Sequence, residues 1–298
     1  MVLCSCRATA PAARLTGPAG AAPARPSAGC FSSQAAPQGE RRLSSGGRTR
    51  RFRLSLPQAE GPMPLVLNLH GLFEPADVQQ WLTGMDTLAR ARGMAVAYPE
   101  GVGSSWNAGT CCGRAQAEQV DDVKFLRDLV RELEGELCLD RNRIYVTGMS
   151  NGGIMSYRLA CEASDVFAAV APVAAVEAVP ACKPRRPVPV LAFHGTSDHM
   201  VSWEGGWFGL GSPQETVQRW RDRNRCAVEP ARVAYQHGDA RCDAAPGCAA
   251  DVLLCRFEGG GHTWPGGIEA FFCGHTSSDL DASATLLDFF LDHPMLRD

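Results

Sequence analysis

A serine stands between a short apolar segment and a helical segment in residues 143–160, RIYVTGMSNGGIMSYRLA. Residues 144–147 are β-branched and aromatic and predict a buried strand, whereas residues 154–160 predict a helix packed by one face. Ser150 lies between them in the pattern G-x-S-x-G, a context that lifts a nucleophilic hydroxyl clear of a sheet. Backbone N–H groups at the helix start can stabilise an oxyanion, which predicts acyl transfer. The pattern also occurs in ordinary glycine-rich turns, so the prediction depends on partners elsewhere in the chain.

A serine hydroxyl needs a base to take its proton and an acid to orient that base. After a turn of this kind the three residues occur in the chain order serine, acid, histidine. Asp198 follows a predicted strand at residues 188–194, and His262 follows another at residues 252–257 inside the segment FEGGGHTWPGG. Because open α/β sheets build their sites beyond the carboxyl ends of strands, Asp198 and His262 are the predicted acid and base for Ser150.

Other residues compete for these two roles. His237 and His275 lie in irregular polar segments, which favours exposure to solvent. His293 precedes a proline at a predicted helix end, where a C-terminal cap is the simpler interpretation. Glu204 lies a few residues beyond Asp198 in the same loop and is the rival acid.

An oxyanion hole requires two backbone N–H donors near the nucleophile. The first predicted donor is the N–H of Asn151, directly after the serine. The second comes from the loop after the predicted strand at residues 64–70, where His70-Gly71-Leu72 stands, and the N–H of Leu72 is the predicted donor. On its own, His70-Gly71 would indicate a simple turn at a strand end.

Short apolar strands alternate with helices along the rest of the chain. The predicted strands cover residues 52–56, 64–70, 94–98, 144–147, 167–175, 188–194 and 252–257. The predicted helices cover residues 76–92, 121–137, 154–160, 213–224 and 282–291. This alternation predicts a mostly parallel sheet with helices on both faces. Together with the order of the catalytic residues, it predicts a single α/β domain of the α/β-hydrolase fold.

Composition divides the 298 residues into two parts. Residues 1–45 are rich in Ala, Pro, Arg, Gly and Ser without apolar periodicity, which predicts a disordered extension or an organelle transit peptide. Residues 46–298 form the predicted catalytic domain. The net charge of −3 argues against a nucleic-acid partner, and no window of 18 apolar residues predicts a membrane span. A monomer is expected.

The chain resembles the α/β-hydrolase esterases that include bacterial polyhydroxybutyrate depolymerases and feruloyl or acetylxylan esterases. The segments that carry the resemblance are LVLNLHG, WNAGTCCG, VDDVKFL, TGMSNGGIM, VPVLAFHGTSD and GGGHTWPGG, followed by residues 281–294. They occur in order between about residues 46 and 296. The resemblance implies Ser150 as nucleophile, Asp198 as acid and His262 as base, with Trp106 and Trp264 near the substrate entrance.

The resemblance also implies an ester substrate, no cofactor, no metal and an extracellular location. The chain departs from the family pattern at Leu72-Phe73, where polar residues are usual, and at residues 204–212, EGGWFGLGS. Both departures are expected to border the acyl pocket, so the choice among hydroxyalkanoate, cinnamate and acetate esters stays open. The substrate is expected to be a small or oligomeric ester, since the sequence contains no separate polymer-binding domain.

Thirteen cysteines are present, ten of them in residues 46–298. An even number in a chain like a secreted esterase suggests disulfides, although Cys255 and Cys138 also fit plain buried thiols. The adjacent Cys111 and Cys112 are expected to pair with different partners. Zinc is disfavoured because no C-x₂-C pair has a matching second pair. From the resemblance, Cys226 and Cys248 are expected to pair and to fix the segment that leads to His262.

The sequence therefore predicts a serine carboxylesterase that works through an acyl-enzyme. A peptidase of the same fold is an alternative, but such enzymes usually carry a large additional domain. A catalytically inactive binding module is another alternative, although it predicts the loss of a triad member and all three are present.

Overall fold

The computed structural model describes residues 10–17, 22–32, 37–206, 209–269 and 272–296. One sheet of ten strands forms its centre. The strands are β1 (Gly39–Ser45), β2 (Arg48–Ser55), β3 (Met63–Leu69), β4 (Ala95–Pro99), β5 (Leu139–Met149), β6 (Val170–Val173), β7 (Val190–Gly195), β8 (Arg232–His237), β9 (Ala240–Ala244) and β10 (Val252–Phe257).

The strand order is β1-β2-β4-β3-β5-β6-β7-β10-β9-β8. The inner strands from β4 to β10 run parallel to one another. The β1–β2 and β8–β9 hairpins extend the sheet antiparallel at its two ends. The predicted mostly parallel sheet of an α/β-hydrolase is confirmed. The β8–β9 hairpin was not predicted, because β8 is largely exposed and lacks an alternating apolar pattern.

Helices cover both faces of the sheet, as predicted. They are α1 (Ala76–Thr83), α2 (Met85–Ala91), α3 (Gly113–Ala117), α4 (Asp122–Glu136), α5 (Asn151–Glu162), α6 (Pro213–Arg223) and α7 (Ala282–Asp292). The single helix predicted for residues 76–92 is divided at Gly84, whose left-handed backbone (φ 55°) ends α1 and begins α2. Glycine adopts this conformation without the steric penalty that a Cβ imposes.

Two apolar layers enclose the sheet. On one face Phe125 of α4, Ile154 of α5 and Trp220 of α6 belong to one buried cluster. On the other face, Met85 of α2 and Phe290 of α7 belong to a second. Because each face is covered, the parallel strands are apolar on both sides, and the site must form at the strand ends.

The N-terminal segment is the main correction to the sequence-based prediction. Ala13 and Leu15 are buried, and the Ala13 N–H donates to Thr285 Oγ1 of α7 (3.2 Å). Ser27 Oγ donates to the Leu137 carbonyl (2.6 Å), and β1 starts at residue 39. The prediction of a disordered extension over residues 1–45 is wrong for these described parts, which are fixed by individual contacts that leave no periodic pattern. Residues 1–9, 18–21 and 33–36 lie outside the described residues.

Four cysteine pairs lie at disulfide distance: Cys30–Cys138, Cys161–Cys182, Cys226–Cys248 and Cys242–Cys255. Cys30 and Cys138 tie the N-terminal segment to the start of β5, and Cys242 and Cys255 join β9 to β10. The side chains of the adjacent Cys111 and Cys112 lie against each other, and the separate partners expected for them are not found among the described cysteines. Cys273 is paired with no other described cysteine.

Candidate active site

Ser150 occupies a strained turn between β5 and α5. Its backbone is at φ 54° and ψ −121°, which is unfavourable for a residue with a side chain, and strain of this kind concentrates at functional sites. Its N–H donates to the Val173 carbonyl (2.9 Å), and its own carbonyl accepts from Ile154 N–H (2.8 Å). A methyl group at Gly148 or Gly152 would lie 2.6 or 2.3 Å from the β3 backbone, so only glycine lets the turn approach β3 this closely.

Asp198 and His262 meet at the ends of β7 and β10. Nδ1 of His262 lies 2.8 Å from Asp198 Oδ2, and the residues are only 3% and 4% exposed. The other carboxylate oxygen accepts the N–H groups of Met200 (2.9 Å) and Val201 (2.8 Å). Since Nδ1–H donates to the carboxylate, Nε2 of His262 is left to accept a proton. Glu204 is exposed, and the structure places Asp198 at His262 Nδ1.

The acid is held ionised by its surroundings. Burial raises the pKa of Asp198, but the hydrogen bond from His262 and the imidazoles of His262 and His194 outweigh burial and hold this pKa below its ordinary value. Burial lowers the pKa of His194, whose Nε2 donates to the Val201 carbonyl (2.8 Å). Asp198 is therefore a fixed negative charge directly behind His262.

Ser150 and His262 line the same cavity, which measures about 360 Å³. The cavity lies at the carboxyl ends of the inner strands. The described residues that line it are Gly71, Leu72, Phe73, Glu74, Cys112, Met149, Ser150, Asn151, His199, Met200, Val201, His262 and Cys273. The two predicted oxyanion donors, Leu72 and Asn151, are thus brought to the same space as the nucleophile and the base.

His70 fixes the loop that carries Leu72. Its Nε2 accepts the Gly101 N–H (2.9 Å), so the proton is on Nδ1, which donates to the Gly71 carbonyl (2.7 Å). Because a trans peptide points its C=O and N–H in opposite directions, this bond turns the Leu72 N–H away from His70. Burial lowers the pKa of His70 to about 4, which keeps the imidazole neutral and this arrangement intact.

Trp106 joins the loop after β3 to the turn that carries Ser150. Its backbone N–H donates to Asn151 Oδ1 (2.7 Å), and its carbonyl accepts from Asn151 Nδ2 (3.0 Å). Its indole Nε1 donates to the His70 carbonyl (3.0 Å). The next residue, Asn107, donates its N–H to Asp122 (2.9 Å), which is paired with the buried Arg50 (2.8 Å).

Three predictions about the rim are corrected. Trp106 and Trp264 are fully buried and do not line the cavity, and Trp264 Nε1 donates to Ser283 Oγ (3.0 Å). Both indoles therefore support the site from within the core. Of the variant loop 204–212, Gly209, Leu210 and Gly211 line a different cavity, and residues 207–208 lie outside the described residues. Leu72 and Phe73 do line the cavity of Ser150.

Sequence reasoning missed the supporting residues His70, Asp122, Arg50 and His194, because their roles depend on partners far along the chain. It also missed Glu74, a carboxylate inside the cavity. The signal available for Glu74 was its position directly after the departure at Leu72-Phe73.

One group in the described part of the chain has the spacing of a metal site: Cys161, Glu177 and Cys182. The two cysteines pair with each other, and Glu177 accepts both guanidinium nitrogens of Arg223 (2.7 and 2.9 Å). These partners occupy the donor atoms that a metal would need. No described helix combines the length and the apolar character that crossing a bilayer demands.

Comparison with known proteins agrees with the fold. A family described as "Esterase PHB depolymerase" matches residues 52–199. "Putative esterase NocK" of Nocardia uniformis subsp. tsuyamanensis is 32% identical over 278 residues, or 82% of this chain and 80% of NocK. "Feruloyl esterase B" of Piromyces equi is 36% identical over 220 residues, or 67% of this chain and 39% of that protein.

The solved structure of an acetyl xylan esterase from Aspergillus awamori superimposes with a TM-score of 0.59 at 14% identity, covering 75% of this chain and 94% of that one. At this identity the likeness shows the fold alone. Fold and sequence matches together define an esterase of the α/β-hydrolase class. The chain belongs to the PHB depolymerase esterase family and is, by class, a carboxylic ester hydrolase.

Proposed function

We propose that this protein is a serine carboxylesterase that hydrolyses small or oligomeric esters through an acyl-enzyme on Ser150. The observation that carries the proposal is the buried His262–Asp198 hydrogen bond of 2.8 Å beside a cavity that Ser150 also lines. A nucleophile, a base with a free Nε2 and a fixed acid are the groups that ester hydrolysis needs.

In the first half of the reaction, His262 Nε2 takes the proton of Ser150 as Oγ attacks the ester carbonyl carbon. The N–H groups of Asn151 and Leu72 stabilise the oxyanion of the tetrahedral intermediate. Asp198 stabilises the imidazolium that forms. His262 then returns the proton to the alcohol oxygen, the C–O bond breaks and the acyl group stays on Ser150.

In the second half, His262 takes a proton from water, whose oxygen attacks the acyl carbon. The second tetrahedral intermediate collapses as His262 returns the proton to Ser150 Oγ, and the carboxylic acid leaves. Each turnover thus consumes one water, and the enzyme is restored.

The cysteine pairs support a location outside the reducing cytosol, since disulfides persist in oxidising compartments. The Cys226–Cys248 pair closes a segment of 22 residues between α6 and β10. This pair is expected to fix the position of β10, the strand that precedes His262. We therefore favour an extracellular enzyme.

The test is p-nitrophenyl acetate hydrolysis by the wild type, Ser150→Ala and Ser44→Ala. Ser44 is exposed on β1 and provides the same chemical change far from the cavity. We expect Ser150→Ala to lose nearly all turnover, keeping only about 10³–10⁴-fold acceleration over water. Full activity of Ser150→Ala would overturn the proposal, as would an inactive wild type, which an inert binding module predicts.

A further inference from the structure

The loop after β3 presents an aromatic ring at the cavity. Phe73 is 80% exposed yet lines the cavity of Ser150. Its backbone is left-handed at φ 65°, held by a hydrogen bond from its N–H to the Ser104 carbonyl (2.8 Å). A bulky residue in this conformation is uncommon, and burial of the ring does not explain its placement.

Glu74 brings a carboxylate next to the nucleophile. Its Oε2 accepts the Gly71 N–H (3.2 Å). A methyl group built at Gly71 would lie 2.8 Å from that oxygen and 3.7 Å from Ser150 Cβ. The Glu74 carboxylate oxygen and Ser150 Cβ therefore both lie within 3.7 Å of one point beside Gly71.

The described lining of the cavity holds no permanent cation to balance this carboxylate. Its described lining residues include His199 and His262 but no lysine or arginine. Cys273 also lines the cavity. Burial raises the pKa of its thiol, and so do the carboxylates of Glu74 and Asp198, because their negative charges disfavour a thiolate. Asp198 is engaged by His262, which leaves Glu74 as the carboxylate that faces an incoming ligand.

The alcohol part of an ester lies on the side of His262, because this imidazole must return a proton to the alcohol oxygen. Glu74 lines the same cavity as His262, and burial raises the pKa of its carboxyl against the smaller, opposing effects of the Gly71 hydrogen bond and of His262. Glu74 is therefore close to where the alcohol part is bound. A carboxylate and an exposed aromatic ring that line one cavity match the chemistry that binds ammonium groups, by charge and by cation–π attraction.

We propose that Phe73 and Glu74 form a subsite for a cationic group, of the trimethylammonium type, on the alcohol part of the ester. This inference rests on the proposed esterase function and adds to it a preference for the charge on the alcohol part of the substrate. The subsite favours esters of cationic alcohols over neutral esters of the same shape, and neutral esters over those of carboxylate-bearing alcohols.

The experiment compares kcat/KM at pH 8 for acetylcholine, its uncharged analogue 3,3-dimethylbutyl acetate, and 3-acetoxypropanoate, by titrating released acid. For the wild type we expect a preference of about tenfold for acetylcholine over the uncharged analogue. Glu74→Gln keeps an acceptor for the Gly71 N–H but removes the charge, so this ratio should fall to about one. Phe73→Leu should lower the ratio part of the way.

Glu132→Gln on α4 is the control, since it makes the same change at an exposed position that does not line the cavity. It should keep the wild-type ratio. A wild-type ratio of one, or a ratio that survives Glu74→Gln, would overturn the subsite while leaving esterase activity established.

Binding of butyltrimethylammonium, measured by calorimetry, tests the subsite without turnover. We expect binding to the wild type that is weakened about tenfold in Glu74→Gln. Absence of binding to the wild type would refute the subsite. A protein that binds this cation but hydrolyses none of the esters would keep the subsite and refute the proposed function.

Discussion

Replacing Asp198 by asparagine would move the imidazole proton of His262 from Nδ1 to Nε2. In the wild type, one carboxylate oxygen accepts two backbone N–H groups, from Met200 and Val201, and the other accepts His262 Nδ1–H. Asparagine has one oxygen. Because the two N–H groups require an acceptor, the amide oxygen must face them, and the NH₂ group is left facing His262 Nδ1.

An NH₂ donor at that position favours the tautomer with the proton on Nε2. This tautomer cannot take the proton of Ser150, and the negative charge that stabilises the imidazolium is also lost. We expect Asp198→Asn to lower kcat by about 10⁴, which corresponds to about 5.5 kcal/mol of transition-state stabilisation. The fold should be kept, since the amide fills the same volume and retains the two backbone hydrogen bonds.

The assay is steady-state hydrolysis of p-nitrophenyl acetate, with near-ultraviolet circular dichroism to confirm the fold. Glu204→Gln, the corresponding change in the rival acid, should keep normal rates. The reasoning is refuted if Asp198→Asn retains near-normal kcat while Glu204→Gln abolishes turnover, because the acid would then be Glu204.

Three further predictions concern the framework. Gly152→Ala should destabilise the protein by about 1–3 kcal/mol and reduce activity, since the methyl group would lie 2.3 Å from the Leu69 carbonyl oxygen; urea denaturation measures this, and an unchanged midpoint would contradict it. Cys30→Ser should lower the free energy of unfolding by up to about 4 kcal/mol, because the pair with Cys138 spans 108 residues; equal thermal stability would show that this pair does not stabilise the fold. His70 has a pKa of about 4 in the folded protein and an ordinary value of 6.5. As pH falls from 6.5 towards 4, the unfolded chain therefore binds a proton at this residue before the folded protein does. The folded protein should lose about 3 kcal/mol of stability from this group over that range. His70→Gln should flatten that part of the stability–pH curve, and an identical slope would contradict the assignment.

Matched controls separate these effects from general damage. Gly135→Ala introduces the same methyl group in α4 with no atom within 4 Å, and should leave stability equal or slightly higher. Cys273→Ser removes a thiol that is in no disulfide pair and should not reproduce the loss seen for Cys30→Ser.

The order of strands and helices was predictable because the inner strands are buried on both faces. Burial on both faces makes them continuous apolar segments, and the helices between them carry an apolar stripe. The edges were less predictable. β8 is largely exposed, and the N-terminal segment is held by single side chains such as Leu15 and by the Cys30–Cys138 pair.

The sequence by itself predicted a strand, a turn carrying Ser150 and a helix, and it placed Asp198 and His262 after strands, which gave the common G-x-S-x-G pattern its weight. Only the tertiary structure brought the Asp198 carboxylate to His262 Nδ1, 64 positions along the chain. It also placed Trp106 and Trp264 in the core, where the resemblance had implied the substrate entrance. The physical reason is that the indole N–H of a tryptophan can find a hydrogen-bond acceptor equally well at the rim of a cavity or in the protein core. The choice depends on acceptors such as the His70 carbonyl, which the chain supplies only once it has folded.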